Sequence, residues 1–278
     1  MDRRRTRCPW WYVVGVVAAL LAGFPRVVVA DEIRILASNA VREAYSELLP
    51  AFEKETGHHV SVEWGGTVDI LRRAGAGENI DVVVVPAGRV DSLITRGIAV
   101  KRTDLAASAI GVAVRVDLPR PNIATAEALS RALRDCRTIV ISSGPSSEHM
   151  RALFERLGVA GEIEGKILQL APGLSVGEAL AEGHGDIGFT QISELLAIKG
   201  ISYVGPLPAE IQSVTVFSAG LLKPSASSEP ARALLIFLSG PNAAVVLKKH
   251  GLEPGRSMIS SRSTICSSHR AAQKRNSA

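Results

Sequence analysis

The sequence predicts an α/β fold built from mostly parallel sheets flanked by helices. Strand-like and helix-like segments alternate along residues 31–255, the pattern of sheets covered on both faces. Asp81–Val85 is a continuous branched run, as expected of a strand buried on both sides. The stretch that carries this alternation, about 225 residues long, is large enough for one sizeable core or two small ones.

The elements follow in chain order. Ile33 and Ile35 lead a short strand ending at Leu36-Ala37. A helix is predicted from about Ala40 to Glu55, striped by Val41, Tyr45, Leu48 and Phe52 and stopped by Gly57. Val60 and Val62 mark a second strand, Val68–Ala74 a second helix, and Asp81–Val85 the third strand. A short helix then ends at Gly97. Ile110–Val116 is an apolar strand, and Thr125 caps a helix through Leu133. Ile139–Ile141 and Ile167–Leu170 are strands on either side of a helix striped by Met150, Leu153, Phe154 and Leu157. Val176, Ala179 and Leu180 face inward from the next helix; Asp186–Phe189 is a strand, followed by a helix over Ser193–Ile198. Val214–Phe217 is apolar again, and two helices, Glu229–Ser239 and Pro241–His250, close the pattern.

Both ends read differently. Arg3, Arg4, Arg5 and Arg7 precede an apolar run from Trp10 to Phe24, and Val28 and Ala30 place small residues before Asp31. This is the layout of a secretory signal peptide over residues 1–30. The run falls short of the ~20 residues that span a bilayer, and Pro25 and Arg26 interrupt it. The expectation is a periplasmic protein. Residues 256–278 are rich in Ser, Arg and Lys without apolar periodicity and read as a disordered basic tail.

The ends also account for the basic balance. Of the total charge of +5, residues 1–30 contribute +4 and residues 256–278 contribute +5, which leaves −4 on residues 31–255. The basic isoelectric point therefore argues for no nucleic-acid partner. An acidic body that binds an anion is expected to hold it with neutral dipoles. Cys8 leaves with the signal, Cys266 lies in the tail, and Cys136 reads as a small buried hydrophobe; no spacing suggests a metal site.

One feature recurs three times: a strand ends, a loop of small, Gly-rich or hydroxyl-bearing residues follows, and a helix begins. The loops are Ala37-Ser38-Asn39-Ala40, Trp64-Gly65-Gly66-Thr67 and Ser142-Ser143-Gly144-Pro145-Ser146-Ser147. In an open parallel sheet such loops lie at the carboxyl ends of strands, where ligands bind. Free N–H groups at helix starts favour an anion, glycine permits close approach, and hydroxyls add donors. Ser38, Thr67 and Ser147 also suit helix caps, and the two roles are compatible. The three loops together are thus the candidate site.

Five segments in order, ILASNAVREAYSELLPAFEKETGHHV, GGTVDILRRAGAGENIDVVVVPAGRVDSLITRGI, SSGPSSEHMRALFERLGV, GEALAEGHGDIGFTQISELL and VGPLPAEIQSVTVFSAGLL, resemble the molybdate-type periplasmic solute-binding proteins of ABC transporters. The likeness covers about residues 32–255. It implies a two-lobed, type II periplasmic-binding-protein fold with two crossing hinge strands, near Ile110–Val114 and Ser213–Phe217. Lobe 1 is then residues 31–110 plus 213–255, and lobe 2 residues 111–212. It implies a monomer that captures a small anion, with molybdate or a similar oxyanion favoured and tungstate or a small carboxylate as alternatives, and an ABC permease as partner. A small organic acid as solute, or a periplasmic sensing role, is the rival reading. By the same resemblance the solute contacts fall on Ser38, Asn39, Gly66, Thr67, Ser143, Ser146 and Ser147, and Gln191 joins the site where the family often carries Tyr. An amide both donates and accepts, which suits a protonated or hydroxylated ligand better than a bare dianion. The second loop departs too, with Gly65-Gly66-Thr67 where a Gly-Ser-Ser-Gly-like turn is usual. No cofactor, metal or catalytic residue is expected. No Cys–His or Ser–His–Asp spacing and no paired carboxylates beside the loops suggest chemistry, so the chain is expected to bind without catalysis. His58 and His59 point to opposite strand faces, His184 sits in a turn, and Asp186 is expected to bond backbone N–H groups.

Overall fold

The computed structural model describes residues 32–255. The expected signal peptide and basic tail, with Cys8 and Cys266, lie outside the described residues.

The fold class holds: a mixed α/β structure whose strands run in the order β2-β1-β3-β9-β4-β7-β5-β6, with helices on both faces. β1 (Glu32–Ser38) pairs in parallel with β2 (His59–Gly65) and β3 (Val82–Pro86). β5 (Ile139–Ile141) pairs in parallel with β6 (Ile167–Gln169) and β7 (Ile187–Gln191). Between these two parallel groups run β4 (Ala99–Arg115) and β9 (Val214–Leu222), both antiparallel to their neighbours. Two short strands, β8 (Ile201–Pro206) and β10 (Glu253–Pro254), pair onto β4.

Two-sided burial explains the parallel groups. Along β3, Val82 and Val84 enter one apolar cluster while Val83 and Val85 enter another. Along β5, Ile139 and Ile141 face one cluster and Val140 the opposite one. The clusters also divide along the chain: two draw on residues 33–106 and 217–252, and two on residues 110–211.

β4 corrects the reading of a strand confined to Ile110–Val116. It runs for 17 residues, and its first part, with Lys101, Arg102 and Asp104, lacks the apolar signal because those side chains are solvated or paired. Register shifts at Ala99/Lys101 and Asp104/Ala106 break the alternation further. Up to Ala109 this strand pairs with β9; from Ile110 it pairs with β7 and β8. Gln212 holds the changeover. Its Oε1 accepts from the N–H of Ile110 and Ser213, each at 2.9 Å, and its Nε2 donates to the carbonyls of Ile110 at 3.1 Å and Leu207 at 3.2 Å.

The helices that position the loops are α1 (Arg42–Thr56), α2 (Thr67–Gly75), α3 (Ala87–Thr95), α4 (Ala126–Asp135), α5 (Pro145–Arg156), α6 (Ala160–Ile163), α7 (Val176–Ala181), α8 (Ile192–Leu196), α9 (Glu229–Leu238) and α10 (Pro241–Lys249). α4 starts at Thr125, whose hydroxyl accepts from the Ala128 N–H at 3.2 Å. α1 stops at Gly57, which takes a positive φ of 77°, a left-handed turn that a side chain disfavours.

Candidate functional site

Each of the three loops leaves the carboxyl end of a parallel strand, β1, β2 or β5, and the fold brings them to one place. Ser38, Asn39, Gly65, Gly66 and Thr67 meet Ser142, Ser143, Gly144 and Ser146 around a cavity of about 50 Å³. A water needs ~10–15 Å³ measured in this way, so the space suits one compact polar group the size of a few waters. Among the described residues, no Lys or Arg lines the cavity.

The donors are arranged as follows. Ser38 caps a 3₁₀ turn (Asn39–Val41) that leads into α1; its hydroxyl accepts from the Ala40 N–H at 3.3 Å, a long bond. Gly66 caps α2 without a side chain, so the first N–H groups of this helix have no intrahelical partner, and Gly66, Thr67 and Val68 line the cavity. Gly144 caps α5 in the same way, with Pro145 in the first helical position. Ser142 and Ser146 share a hydroxyl–hydroxyl bond of 2.9 Å. Ser147 lies outside the lining: its hydroxyl donates to the Gly144 carbonyl at 2.7 Å.

Gln191 ends β7 and is buried at 3% exposure. Its Nε2 donates to the Thr215 hydroxyl at 3.2 Å, while its Oε1 is buried without a partner. A buried carbonyl oxygen left unpaired is unfavourable, and this one belongs to a residue that lines the cavity.

Three contributors were absent from the sequence reading. The Pro172-Gly173-Leu174 segment closes the cavity from the other side, and the Asn39 amide donates to the Gly173 carbonyl at 3.3 Å. Phe217 supplies an apolar wall. Glu194, on the first turn of α8, brings a carboxyl to the lining. Burial raises its pKa, opposed by the Thr190 hydroxyl, which donates to Oε2 at 2.7 Å, and by the positive charge of Arg42. Arg42 is itself held by Asn39 Oδ1 at 2.7 Å and lies 5.9 Å from the Trp64 ring. Gln191 and Glu194 stand three residues apart across the start of α8, a spacing that puts them on one face and was the available signal.

Residues set aside from the site fall elsewhere. Asp186 accepts from the Arg137 N–H at 2.9 Å, His59 pairs with Glu53 at 2.7 Å, and His184 lies 3.3 Å from Glu182. Burial pushes the Cys136 thiol up to about 11, which leaves it a poor nucleophile at neutral pH.

Closure across the cavity is tight at Gly66, where an added Cβ would stand 3.0 Å from the Gly173 nitrogen. Gly66→Val is expected to wedge the two sides apart and weaken anion binding by about tenfold or more, since the closed state is lost. Titration calorimetry checks this, and affinity within twofold of wild type would show that closure at this point is unimportant.

A family model described as bacterial extracellular solute-binding protein matches residues 33–253. The chain belongs to this family. Among solved structures, the periplasmic molybdate-binding protein of Azotobacter vinelandii superposes with a TM-score of 0.63 at 21% identity, over 79% of this chain and 98% of that one; at that identity the likeness speaks for the fold. A molybdate-binding protein of Rhodobacter capsulatus is 26% identical, over 88% of this chain and 98% of the relative. These matches agree with the molybdate-type resemblance and with the binding-protein class of this chain. A third relative corrects one expectation. The aconitate isomerase of a Pseudomonas species is 32% identical, over 85% of this chain and 94% of its own length. It is an enzyme, so the expectation of binding without catalysis does not stand for this solute-binding protein. The sequence carries no hydrolytic nucleophile pattern and no paired carboxylates beside the loops, yet acid–base chemistry needs only one well-placed carboxyl.

Proposed function

We propose that the cavity captures a small carboxylic acid by one oxyanion head, and that the protein isomerises an unsaturated acid of the aconitate type by moving a proton through Glu194. The head is held by hydroxyl and N–H donors from Ser38, Asn39, Gly66, Thr67, Ser143 and Ser146. Gln191 accepts from the ligand or fixes its orientation. The observation that carries this reading is that Glu194 and Gln191, whose Oε1 finds no partner among the described residues, both line the cavity. Two acceptors suit a ligand that brings a proton and repel a bare dianion. The protein is exported to the periplasm, is a monomer, and has its lobes at residues 31–110 plus 213–255 and 111–212. The division of the apolar clusters and the Gln212 clamp at Ile110 support those boundaries.

The cavity size favours a second reading. A space of about 50 Å³ suits a tetrahedral oxyanion such as molybdate or tungstate, delivered to an ABC permease. A thermal-shift panel of cis- and trans-aconitate, acetate, molybdate, tungstate and sulfate, run beside an isomerisation assay, separates the two. Stabilisation by an aconitate isomer together with its conversion supports the first. A shift with molybdate or tungstate alone, without conversion, replaces it with the second.

Removing single donors is expected to weaken binding modestly. Ser38→Ala and Thr67→Ala should each cost about 0.5–1.5 kcal/mol of ligand binding, more if the ligand is charged where the donor is lost. Calorimetry on the double variant tests the pair; an unchanged dissociation constant would leave both residues with helix capping alone.

A further inference from the structure

The anion cage has a second cavity, about ten times larger, as its neighbour. This vestibule, of about 560 Å³, shares Thr67, Val68, Ser143, Gly144 and Pro145 with the cage, so the two adjoin. Its charged lining is one-sided. Arg72 comes from α2, Arg89 from α3 and Arg96 from the end of α3, against a single acid, Glu148 on α5. Arg72 pairs with Asp69 at 2.6 Å and Arg89 with Glu148 at 2.9 Å. Arg96 has no carboxylate partner among the described residues; its guanidinium lies over Gly75, with Nη2 placed 3.3 Å from where a Cβ there would stand. A body with a net charge of −4 over residues 31–255 thus concentrates cations at the mouth of a cage that contains none.

We propose that this vestibule is a second carboxylate subsite, in which Arg96, supported by Arg72, receives a remote carboxylate of a di- or tricarboxylic acid whose first carboxylate sits in the cage. The proposal rests on the carboxylic-acid reading above and names the substrate class within it. Volume and charge argue together. The cage admits one compact head, and a longer acid must leave the rest of itself where the cage opens. A tetrahedral oxyanion has no second charged group to place there. A guanidinium fork matches a carboxylate with two parallel N–H···O bonds, and Arg96, which makes no ion pair among the described residues, can form them without breaking one there.

The test compares propane-1,2,3-tricarboxylate, acetate and molybdate by titration calorimetry at fixed ionic strength. Wild type, R96Q, the R72Q/R96Q pair and R96K are measured. Wild type is expected to bind the tricarboxylate more tightly than acetate. R96Q should weaken the tricarboxylate by about tenfold, with a further loss in the double variant, while acetate and molybdate stay within twofold; R96K should recover part of the loss. Arg72 and Arg96 are exposed, so these variants should keep the wild-type melting temperature. An equal fall for every anion would reduce the arginines to general attraction and overturn the subsite. Unchanged tricarboxylate affinity in the double variant would overturn it as well, with the cage reading intact. Failure of wild type to bind acetate and the tricarboxylate at all would instead overturn the carboxylic-acid reading beneath it.

Discussion

If the chain isomerises an aconitate-type acid as proposed, Glu194→Gln is expected to lower that conversion by about 100-fold or more, the usual scale for losing a general acid–base group, while substrate still binds. Glutamine keeps the size and polarity of the side chain and removes only the titratable carboxyl. Shifting a double bond along a carboxylic acid requires a proton to leave one carbon and a proton to return at another. The carboxyl in the cavity wall can accept the first and deliver the second, while loop N–H groups steady the charge that gathers on the substrate's carboxylate meanwhile.

The pH dependence follows from the direction of the pKa. Burial raises the pKa of Glu194 above the ordinary glutamate value, only partly offset by Thr190 and Arg42. A base must be deprotonated, so the rate should rise with pH through this elevated value, and the Gln variant should lose that limb. The same shift bears on stability. The folded state binds this proton more tightly than the unfolded chain, so the burial penalty is absent below the ordinary glutamate pKa. It grows as pH rises and is complete above the folded pKa. Glu194→Gln should therefore melt at a higher temperature than wild type at neutral pH, with the difference closing toward pH ~4. A Gln variant with wild-type turnover and an unchanged pH profile would remove Glu194 from the chemistry.

The second large effect concerns the core beneath the third loop. Phe154 on α5 is 1% exposed and meets Phe189 on β7 edge-to-face, with ring centroids 6.3 Å apart. Both belong to the apolar cluster beneath α5 and β7, the elements that carry Ser146 and Gln191. Phe154→Ala is expected to cost about 3–5 kcal/mol, by lost burial and the cavity left behind. For a domain of this size that lowers the melting temperature by roughly 10 °C. Calorimetric melting checks it, and a drop of under ~3 °C would mean that neighbouring side chains collapse into the space.

Much of the framework was legible because burial leaves a local trace. The run at Val82–Val85 is apolar because both faces of β3 are covered. Thr125 and Gly57 mark helix ends by chemistry confined to a few residues. The first half of β4 was illegible for the opposite reason: Arg102 and Asp104 hold partners outside the core, and the register shifts hide the period. β8 was missed as well; it is only partly buried, and its pairing with β4 is irregular near Val112. The antiparallel direction of β9 and β4 was not legible, since it is set by neighbours far along the chain.

At the site, Ser38, Asn39, Gly66, Thr67, Ser143 and Ser146 carried a signal because a glycine or hydroxyl at a helix start has a local reason to be there. Ser147 carried the same signal, yet its hydroxyl turns back to its own helix start. Glu194 carried none by composition, since a lone glutamate in a short helix reads as solvated. The sequence by itself determined the alternation of strands and helices, the two-sided strands, and loops able to offer neutral donors to an anion. Only the tertiary structure decided that those loops share one cavity, that Gln191 Oε1 is left unpaired there, and that Glu194 joins them. The physical reason is that a pKa shift, an unmet hydrogen bond and an enclosed volume depend on which distant residues exclude water from a group. Ser38 and Glu194, far apart in the chain, face the same space only after folding.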